Sequence, residues 1–243
     1  MIEDTRPLLL QTADPVVYRG FLELTAHVNR AFCAVQGIEY AMHIGVLRGH
    51  HPWQATFNRI PLLKARLDAG FRGWLLYLDA DAYVADLAFD LHGFLSSRAH
   101  RSILGVLGHN KALSDINAGV VFFNFAHPDT GFILTEWHRL FMAEVTEEML
   151  ANSPEGWSFT PNDQDLLQRV LAENLVRLWP GIGIEERSLM NAVDARFIRQ
   201  ILRRDAPSLA ERMARARADI ARIFAGEGKG PPAAGAGAPD PAS

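Results

Sequence analysis

Two aspartates separated by a single residue, Asp79 and Asp81, follow the apolar run at residues 74–78. Two carboxylates this close repel each other, so one of them stays protonated unless a cation lies between them. A hard divalent cation relieves this repulsion, and Mg²⁺ in proteins typically combines one or two carboxylates with water and substrate phosphate oxygens. The pair therefore predicts a Mn²⁺ or Mg²⁺ site that holds a nucleotide diphosphate and neutralises it as it departs.

Other interpretations of this aspartate pair are weaker. Aspartate is common in turns, so the pair alone often does no more than cap one. The apolar strand in front favours a site, because ligands of open α/β sheets bind beyond the carboxyl ends of strands. Tyr83 and Val84 stand where a calcium-binding EF-hand loop needs an acidic or amide residue and a glycine, which excludes that motif. A phosphatase with a DxD motif remains a minor alternative, since two predicted strands precede the motif here.

Three further polar segments stand at the ends of predicted elements. They are residues 12–14 after the first strand, residues 115–119 before a later strand, and residues 162–165 at the start of a helix. We expect these segments to meet the aspartate pair at one edge of the sheet.

The elements that position these residues alternate along the chain. Apolar runs predict strands at residues 7–12, 38–46, 74–78, 103–107 and 120–125. Apolar residues at helical spacing predict helices at residues 18–36, 53–70, 128–143 and 162–172, and an amphipathic closing helix around residues 209–224. Trp53 shares this spacing, so we interpret it as a core residue. The alternation predicts an α/β fold with a mostly parallel central sheet flanked by helices.

Composition narrows the class of protein. The chain has 243 residues and a net charge of −4, which argues against a nucleic-acid-binding protein. Its single cysteine, Cys33, excludes an internal disulfide and a multi-thiolate zinc site. We find no targeting sequence and no transmembrane segment, so we expect a cytoplasmic protein, with peripheral membrane contact left open. We expect one catalytic domain at residues 1–225 and a disordered Gly/Pro/Ala-rich tail at residues 226–243.

Two other features have competing interpretations. His50 and His51 resemble a metal-binding pair, but ligating histidines on helices usually lie four residues apart, so we favour a solvated loop. Trp157 lies in a loop rich in Gly, Ser and Pro, where it either stacks on an acceptor sugar or simply packs.

The segment at residues 74–84 resembles the DxD segment of GT-A glycosyltransferases. The nearest group is the galactosyl/mannosyl/xylosyltransferase family of fungi and plants with its bacterial relatives. Further segments match that family in order: Thr12-Ala13-Asp14, Asn29-Arg30-Ala31-Phe32-Cys33, Gly37-Ile38-Glu39-Tyr40, His51-Pro52-Trp53, Asn117-Ala118-Gly119-Val120 and Asp163-Gln164. The resemblance extends over roughly residues 7–195.

The resemblance implies a GT-A fold and transfer of a hexose or pentose from a UDP- or GDP-sugar to a hydroxyl acceptor, with retention of configuration. It also implies roles for particular residues. Mn²⁺ or Mg²⁺ would be bound by Asp79 and Asp81, and the nucleotide would be lined by Thr12, Ala13 and Asp14. The sugar and acceptor side would be shaped by Asp115, Asn117, Ala118 and Gly119. The reacting sugar would lie at Asp163 and Gln164, which would stabilise an oxocarbenium-like transition state.

The chain departs from the family at three places, one of which is Gln36, where the family has a histidine before the second strand. Family members carry a third metal ligand, a histidine in a late His-x-x-Gly segment, whereas this chain has no histidine after His138. Gln200 is a candidate replacement. The lysine after the family's tryptophan is also missing, and Arg59 or Lys64 is a candidate source of that charge. These departures leave a second hypothesis open, a catalytically weak nucleotide-sugar-binding protein of the same fold.

Overall fold

The computed structural model describes residues 5–108, 112–153, 159 and 161–227. The predictions for Trp157 and for residues 228–243 lie outside the described residues. The strands are β1 (Leu8–Ala13), β2 (Glu39–Ile44), β3 (Trp74–Asp79), β4 (Ala82–Val84), β5 (Ile103–Gly105), β6 (Val120–Asn124), β7 (Ile182–Ile184), β8 (Met190–Ala192) and β9 (Ile198–Gln200). The α-helices are α1 (Arg19–Gln36), α2 (Arg59–Asp68), α3 (Leu91–Ser96), α4 (Pro128–Glu144), α5 (Glu147–Ala151), α6 (Asp163–Glu173), α7 (Leu175–Leu178) and α8 (Leu209–Phe224).

Six strands form the central sheet in the order β2-β1-β3-β6-β5-β7. Only β6 runs against the others: it is antiparallel to both β3 and β5. This confirms the predicted mostly parallel sheet flanked by helices. The reversal has a consequence for the site, because Leu78 near the end of β3 pairs with Val120 at the start of β6. Residues 117–119, which lead into β6, are thereby brought beside Asp79.

A second sheet of three short strands, in the order β4-β9-β8, extends from the aspartate pair. β4 begins directly after Asp81, and its first residue, Ala82, pairs with Gln200 at the end of β9. This pairing places Gln200 next to both aspartates. The sequence analysis did not anticipate these strands, because three residues carry too little periodicity to reveal a strand.

The five predicted helices are present, one of them in two pieces, and the short helices α3, α5 and α7 were not predicted. α1 ends at Gly37, whose φ of 65° is the left-handed conformation that glycine adopts easily. The helical segment predicted at residues 53–70, with a kink or restart expected at Pro61, is a 3-10 helix at Pro52–Asn58 followed by α2. Pro61 lies in the first turn of α2, where its missing N–H costs no helical hydrogen bond. Arg59 therefore opens α2 at the junction of the two helical segments.

The core lies on both faces of the central sheet. Leu63, Trp137 and Leu167 from α2, α4 and α6 bury one face. α8 packs against α1 and the small sheet through a separate cluster that includes Phe21 and Ile220. Within the described ranges, no helix has both the length and the apolar content needed to cross a lipid bilayer.

Candidate functional site

A cavity of about 250 Å³ opens at the carboxyl end of β3. It is lined by residues from the Pro52–Asn58 helix, α2, β3, the entry to β6, the start of α6 and the end of β9: Trp53, Thr56, Arg59, Asp79, Asn117, Ala118, Gly119, Asn162, Asp163, Gln164, Gln200 and Leu202. Three of the four polar segments singled out in the sequence thus meet at one edge of the sheet, as expected for an open α/β fold.

Arg59 organises one wall of this cavity. Its buried guanidinium lies 2.6 Å from Asp79 Oδ1 and 3.1 Å from Asp163 Oδ2, and it stacks over the Tyr77 ring at 4.4 Å. Thr56 Oγ1 donates to the other oxygen of Asp163 at 2.7 Å. Of the two candidate cations, Arg59 lies in the cavity wall, whereas Lys64 pairs with Asp68.

Asp81 is held from the opposite side. Arg212 in α8 lies 3.0 Å from Asp81 Oδ2, and both side chains are buried. Gln200 Nε2 donates to Asp81 Oδ1 at 2.7 Å and lies 3.4 Å from Asp79 Oδ2. Each aspartate thus gives one oxygen to an arginine and turns the other toward the Gln200 amide.

The segment before β6 is shaped by backbone and amide contacts. Asn117 Oδ1 accepts from the Gly119 N–H at 2.9 Å and from Asn191 Nδ2 at 2.9 Å. Asn191 adopts a left-handed φ of 65°, which is uncommon for a residue other than glycine. Gln164 Oε1 accepts from the Ala118 N–H at 3.0 Å. These bonds fix the loop against the cavity.

Both aspartates of the pair have raised pKa values at this site. Burial raises the pKa of Asp79 to about 7; Arg59 lowers it, while Asp81 and Asp163 raise it. Burial also raises the pKa of Asp81, against the lowering effects of Gln200 and Arg212. Asp79 and Asp163 share Arg59, and Asp81 pairs with Arg212, while the nearby Arg203 also lowers the pKa of Asp81.

This donor set fits a hard divalent cation. The oxygens of Asp79 and Asp81 that face Gln200 are carboxylate ligands of the kind that Mg²⁺ and Mn²⁺ prefer. Gln200 Oε1 is buried and accepts no hydrogen bond from the residues that the structure describes. No group of three His, Cys, Asp or Glu side chains suited to a metal occurs in the described part of the chain. The Nε2 of Gln200, not its Oε1, faces the two carboxylate oxygens, so Gln200 would serve as the third protein ligand with its side-chain amide turned over.

The other predicted site residues lie outside the cavity lining. Thr12 Oγ1 bonds Tyr77 OH at 2.8 Å, and Ala13 is buried. Asp14 accepts backbone N–H bonds from residues 16–18, so it caps the turn after β1. Asp115 Oδ1 accepts from Gln168 Nε2 at 2.7 Å. The nucleotide-lining and acceptor-side roles of these residues stay predictions.

Two contributors were missed in the sequence. Trp53 was interpreted as core, yet it is only half-buried and lines the cavity. Arg212 was given no role in the sequence analysis, yet it is buried against Asp81. Its spacing held a signal, because residues 212, 216, 220 and 223 lie on one helical face and the other three are apolar. His50 and His51 are loop residues that contact Glu147 and the carbonyl of Ala151.

Similar proteins were found among solved structures. No protein-family model and no curated protein matches this sequence. A glycosyltransferase involved in the glycosylation of the major capsid of PBCV-1 is similar with a TM-score of 0.62 and 16% identity, over 87% of this chain and 98% of that one. The apo-form glycosyltransferase GlyE of Streptococcus pneumoniae TIGR4 is similar with a TM-score of 0.53 and 15% identity, over 95% of this chain and 66% of that one. The chain therefore has a fold found in glycosyltransferases, which confirms the predicted fold class.

Proposed function

We propose that the protein is a metal-dependent glycosyltransferase that moves a hexose or pentose from a UDP- or GDP-sugar to a hydroxyl acceptor. One observation carries the proposal: on a fold found in glycosyltransferases, one cavity joins Asp79, the 117–119 segment and the start of α6. These are the segments that the family resemblance assigns to metal, sugar and reacting centre.

The charges around the cavity suit departure of a diphosphate. Asp79, Asp81 and the Gln200 amide oxygen would hold Mn²⁺ or Mg²⁺, which when bound neutralises negative charge on a leaving diphosphate. Arg59 keeps Asp79 and Asp163 in place through its two ion pairs. Because the two Arg59 ion pairs exist before any ligand arrives, this wall of the cavity needs little rearrangement when a ligand binds.

The nucleotide would lie across the carboxyl ends of β1 and β3. Thr12 and Asp79 are paired residues of these neighbouring parallel strands, so the segment at residues 12–14 ends at the same edge as the aspartates. Retention of configuration is supported by the resemblance at Asp163 and Gln164. The anomeric configuration of the product, read from its proton coupling in NMR spectra, tests that part separately.

A binding screen followed by a turnover assay tests the proposal. We expect one or more UDP- or GDP-sugars to raise the melting temperature, and to raise it further with Mn²⁺, because ligands that bind only the folded state stabilise it. Asp79→Asn and Asp81→Asn should remove the Mn²⁺-dependent shift and transfer activity. Asp68→Asn is the matched control, since Asp68 is an exposed carboxylate paired with Lys64.

Two outcomes would contradict the proposal: no nucleotide sugar stabilises the protein, or both aspartate variants keep wild-type transfer. A second candidate, a nucleotide-sugar-binding protein with little turnover, is favoured by the arginine contacts of both aspartates and by the glutamine at the third ligand position. Calorimetric binding of a nucleotide sugar without hydrolysis or transfer would support this second candidate, and measurable turnover would exclude it.

A further inference from the structure

Trp53 is a half-buried aromatic residue in an otherwise largely polar cavity. We infer that the acceptor is a carbohydrate whose ring stacks on Trp53. This inference rests on the proposed function and deepens it, because a hydroxyl acceptor alone leaves open lipids, proteins and sugars.

The Trp53 side chain is fixed in place before a ligand binds. Its indole Nε1 donates to the carbonyl of Ser153 at 2.6 Å. Its ring packs against Phe57 and Phe159, with centroid distances of 5.9 and 5.0 Å. Since the single polar atom of the side chain is engaged by Ser153, the surface that it offers to the cavity is aromatic carbon. A rigid aromatic surface of this kind binds with a small loss of conformational entropy.

The position of Trp53 in the cavity matches the acceptor side. Trp53 precedes Thr56 by one turn of the Pro52–Asn58 helix, and Thr56 bonds Asp163 at 2.7 Å. Trp53 is therefore placed on the α6 side of the cavity, where the proposed function locates the reacting sugar. The nucleotide is proposed to lie across the ends of β1 and β3, so a base-stacking role for Trp53 does not fit that arrangement.

Amide groups near Trp53 complete a sugar-binding surface. Gln164 uses its Oε1 to accept from the Ala118 N–H, and its Nε2 donates no hydrogen bond within the described ranges. Asn162, the residue before α6, also lines the cavity. A sugar ring has a face of C–H groups and an edge of hydroxyls, which match an aromatic surface bordered by amides. Asn162 Oδ1 already caps α6 by accepting from the Asp165 N–H at 2.9 Å, so the Gln164 Nε2 group is the donor that a sugar hydroxyl would engage. A lipid alcohol would use the aromatic surface and offer only its one hydroxyl to that donor.

Saturation-transfer NMR with methyl glycosides of glucose, galactose and mannose, in the presence of UDP or GDP and Mn²⁺, tests the inference. We expect at least one glycoside to receive saturation at the C–H protons of one ring face. Trp53→Leu keeps apolar bulk but loses the aromatic face, and should weaken glycoside binding about tenfold. Trp53→Phe should retain most of the binding.

Trp179→Ala is the matched control, because Trp179 is 56% exposed and does not line the cavity. It should leave glycoside binding unchanged, and Trp53→Leu should leave UDP or GDP affinity unchanged. Wild-type glycoside binding by Trp53→Leu would overturn the inference. So would nucleotide-sugar binding without binding of any methyl glycoside, a result that leaves the proposed function standing. If no nucleotide sugar binds, the proposed function fails and this inference fails with it.

Discussion

At the scale of single residues, Gly119 is the position at which three side chains of the site approach the backbone most closely. A Cβ at this position would lie 2.7 Å from Asp79 Oδ2, 3.0 Å from Gln200 Oε1 and 3.1 Å from Asn117 Oδ1. These distances are shorter than van der Waals contact, and all three neighbours are oxygens of the candidate site. The absence of a side chain at Gly119 is therefore what lets the β6 entry lie against the aspartate.

We predict that Gly119→Ala displaces Asp79 and Gln200 and weakens Mn²⁺-dependent nucleotide-sugar binding at least tenfold, with a loss of about 1–3 kcal/mol in the free energy of unfolding. Calorimetry and urea denaturation measure the two effects. Gly131→Ala is the control: a Cβ there would have its nearest contact at an ordinary 3.8 Å, inside α4. Equal ligand affinity in the two variants would show that the close approach at Gly119 does not matter.

The aspartate pair itself divides into two environments. Asp79 faces the cavity, with 30% of its side chain exposed, whereas Asp81 is enclosed between Gln200 and Arg212. Sequence spacing predicts that such a pair shares a cation. It does not predict which carboxylate faces the ligand, because that depends on arginines 20 residues before and 131 residues after the motif.

At the scale of elements, α8 is attached by buried ion pairs. Arg212 in α8 pairs with Asp81, and Asp219 in α8 pairs with Arg199 in β9 at 2.8 Å. Tyr83 OH in β4 also donates to Asp219 at 2.8 Å. These contacts join the helix to the small sheet that carries Gln200. We infer that α8 positions the second aspartate rather than merely closing the fold.

We predict that Arg212→Ala lowers the free energy of unfolding by about 3 kcal/mol, because it leaves the Asp81 carboxylate buried without its cation. Arg215→Ala in the same helix removes an exposed pair with Glu211 and should cost about 0.5 kcal/mol or less. Urea denaturation of the two variants measures the difference. Equal losses would mean that the Arg212 contact contributes no more than a surface pair.

Most of the long elements could be predicted from the sequence, and the short ones could not. The apolar run of β3 and the helical spacing of α1 and α4 carry enough residues to define a period. β8 and β9 carry three residues each, and the reversed direction of β6 leaves no trace in its apolar sequence. The predicted convergence of polar segments still held for the segments flanking β3 and β6, because it depends on strand ends rather than on strand direction.

At the scale of the whole molecule, the candidate site lies where three parts of the chain meet. The central sheet supplies Asp79, the small sheet supplies Gln200, and α8 supplies Arg212. Asp79, Gln200 and Arg212 therefore come together only when the central sheet, the small sheet and α8 are folded against one another. Ionisation of Asp79 should consequently be visible in global unfolding.

The pKa of Asp79 rises from its ordinary 3.8 to about 7 in the folded protein, chiefly through burial. The folded state thus takes up this proton more readily than the unfolded state, so protonation stabilises the fold at low pH. That contribution is fully present below about pH 4 and is lost as pH rises through about 7. We predict that the free energy of unfolding of the wild type, relative to Asp79→Asn, falls between about pH 4 and pH 8, because asparagine does not titrate.

Urea denaturation of both proteins across this pH range measures the difference. Asp68→Asn, which replaces an exposed carboxylate on α2, is measured in parallel as the comparison. A flat difference for Asp79→Asn would mean that the Asp79 carboxylate is already compensated by Arg59 in the folded chain. A difference that grows with pH would mean that Arg59 outweighs burial and the neighbouring carboxylates, the reverse of the balance proposed for cation binding.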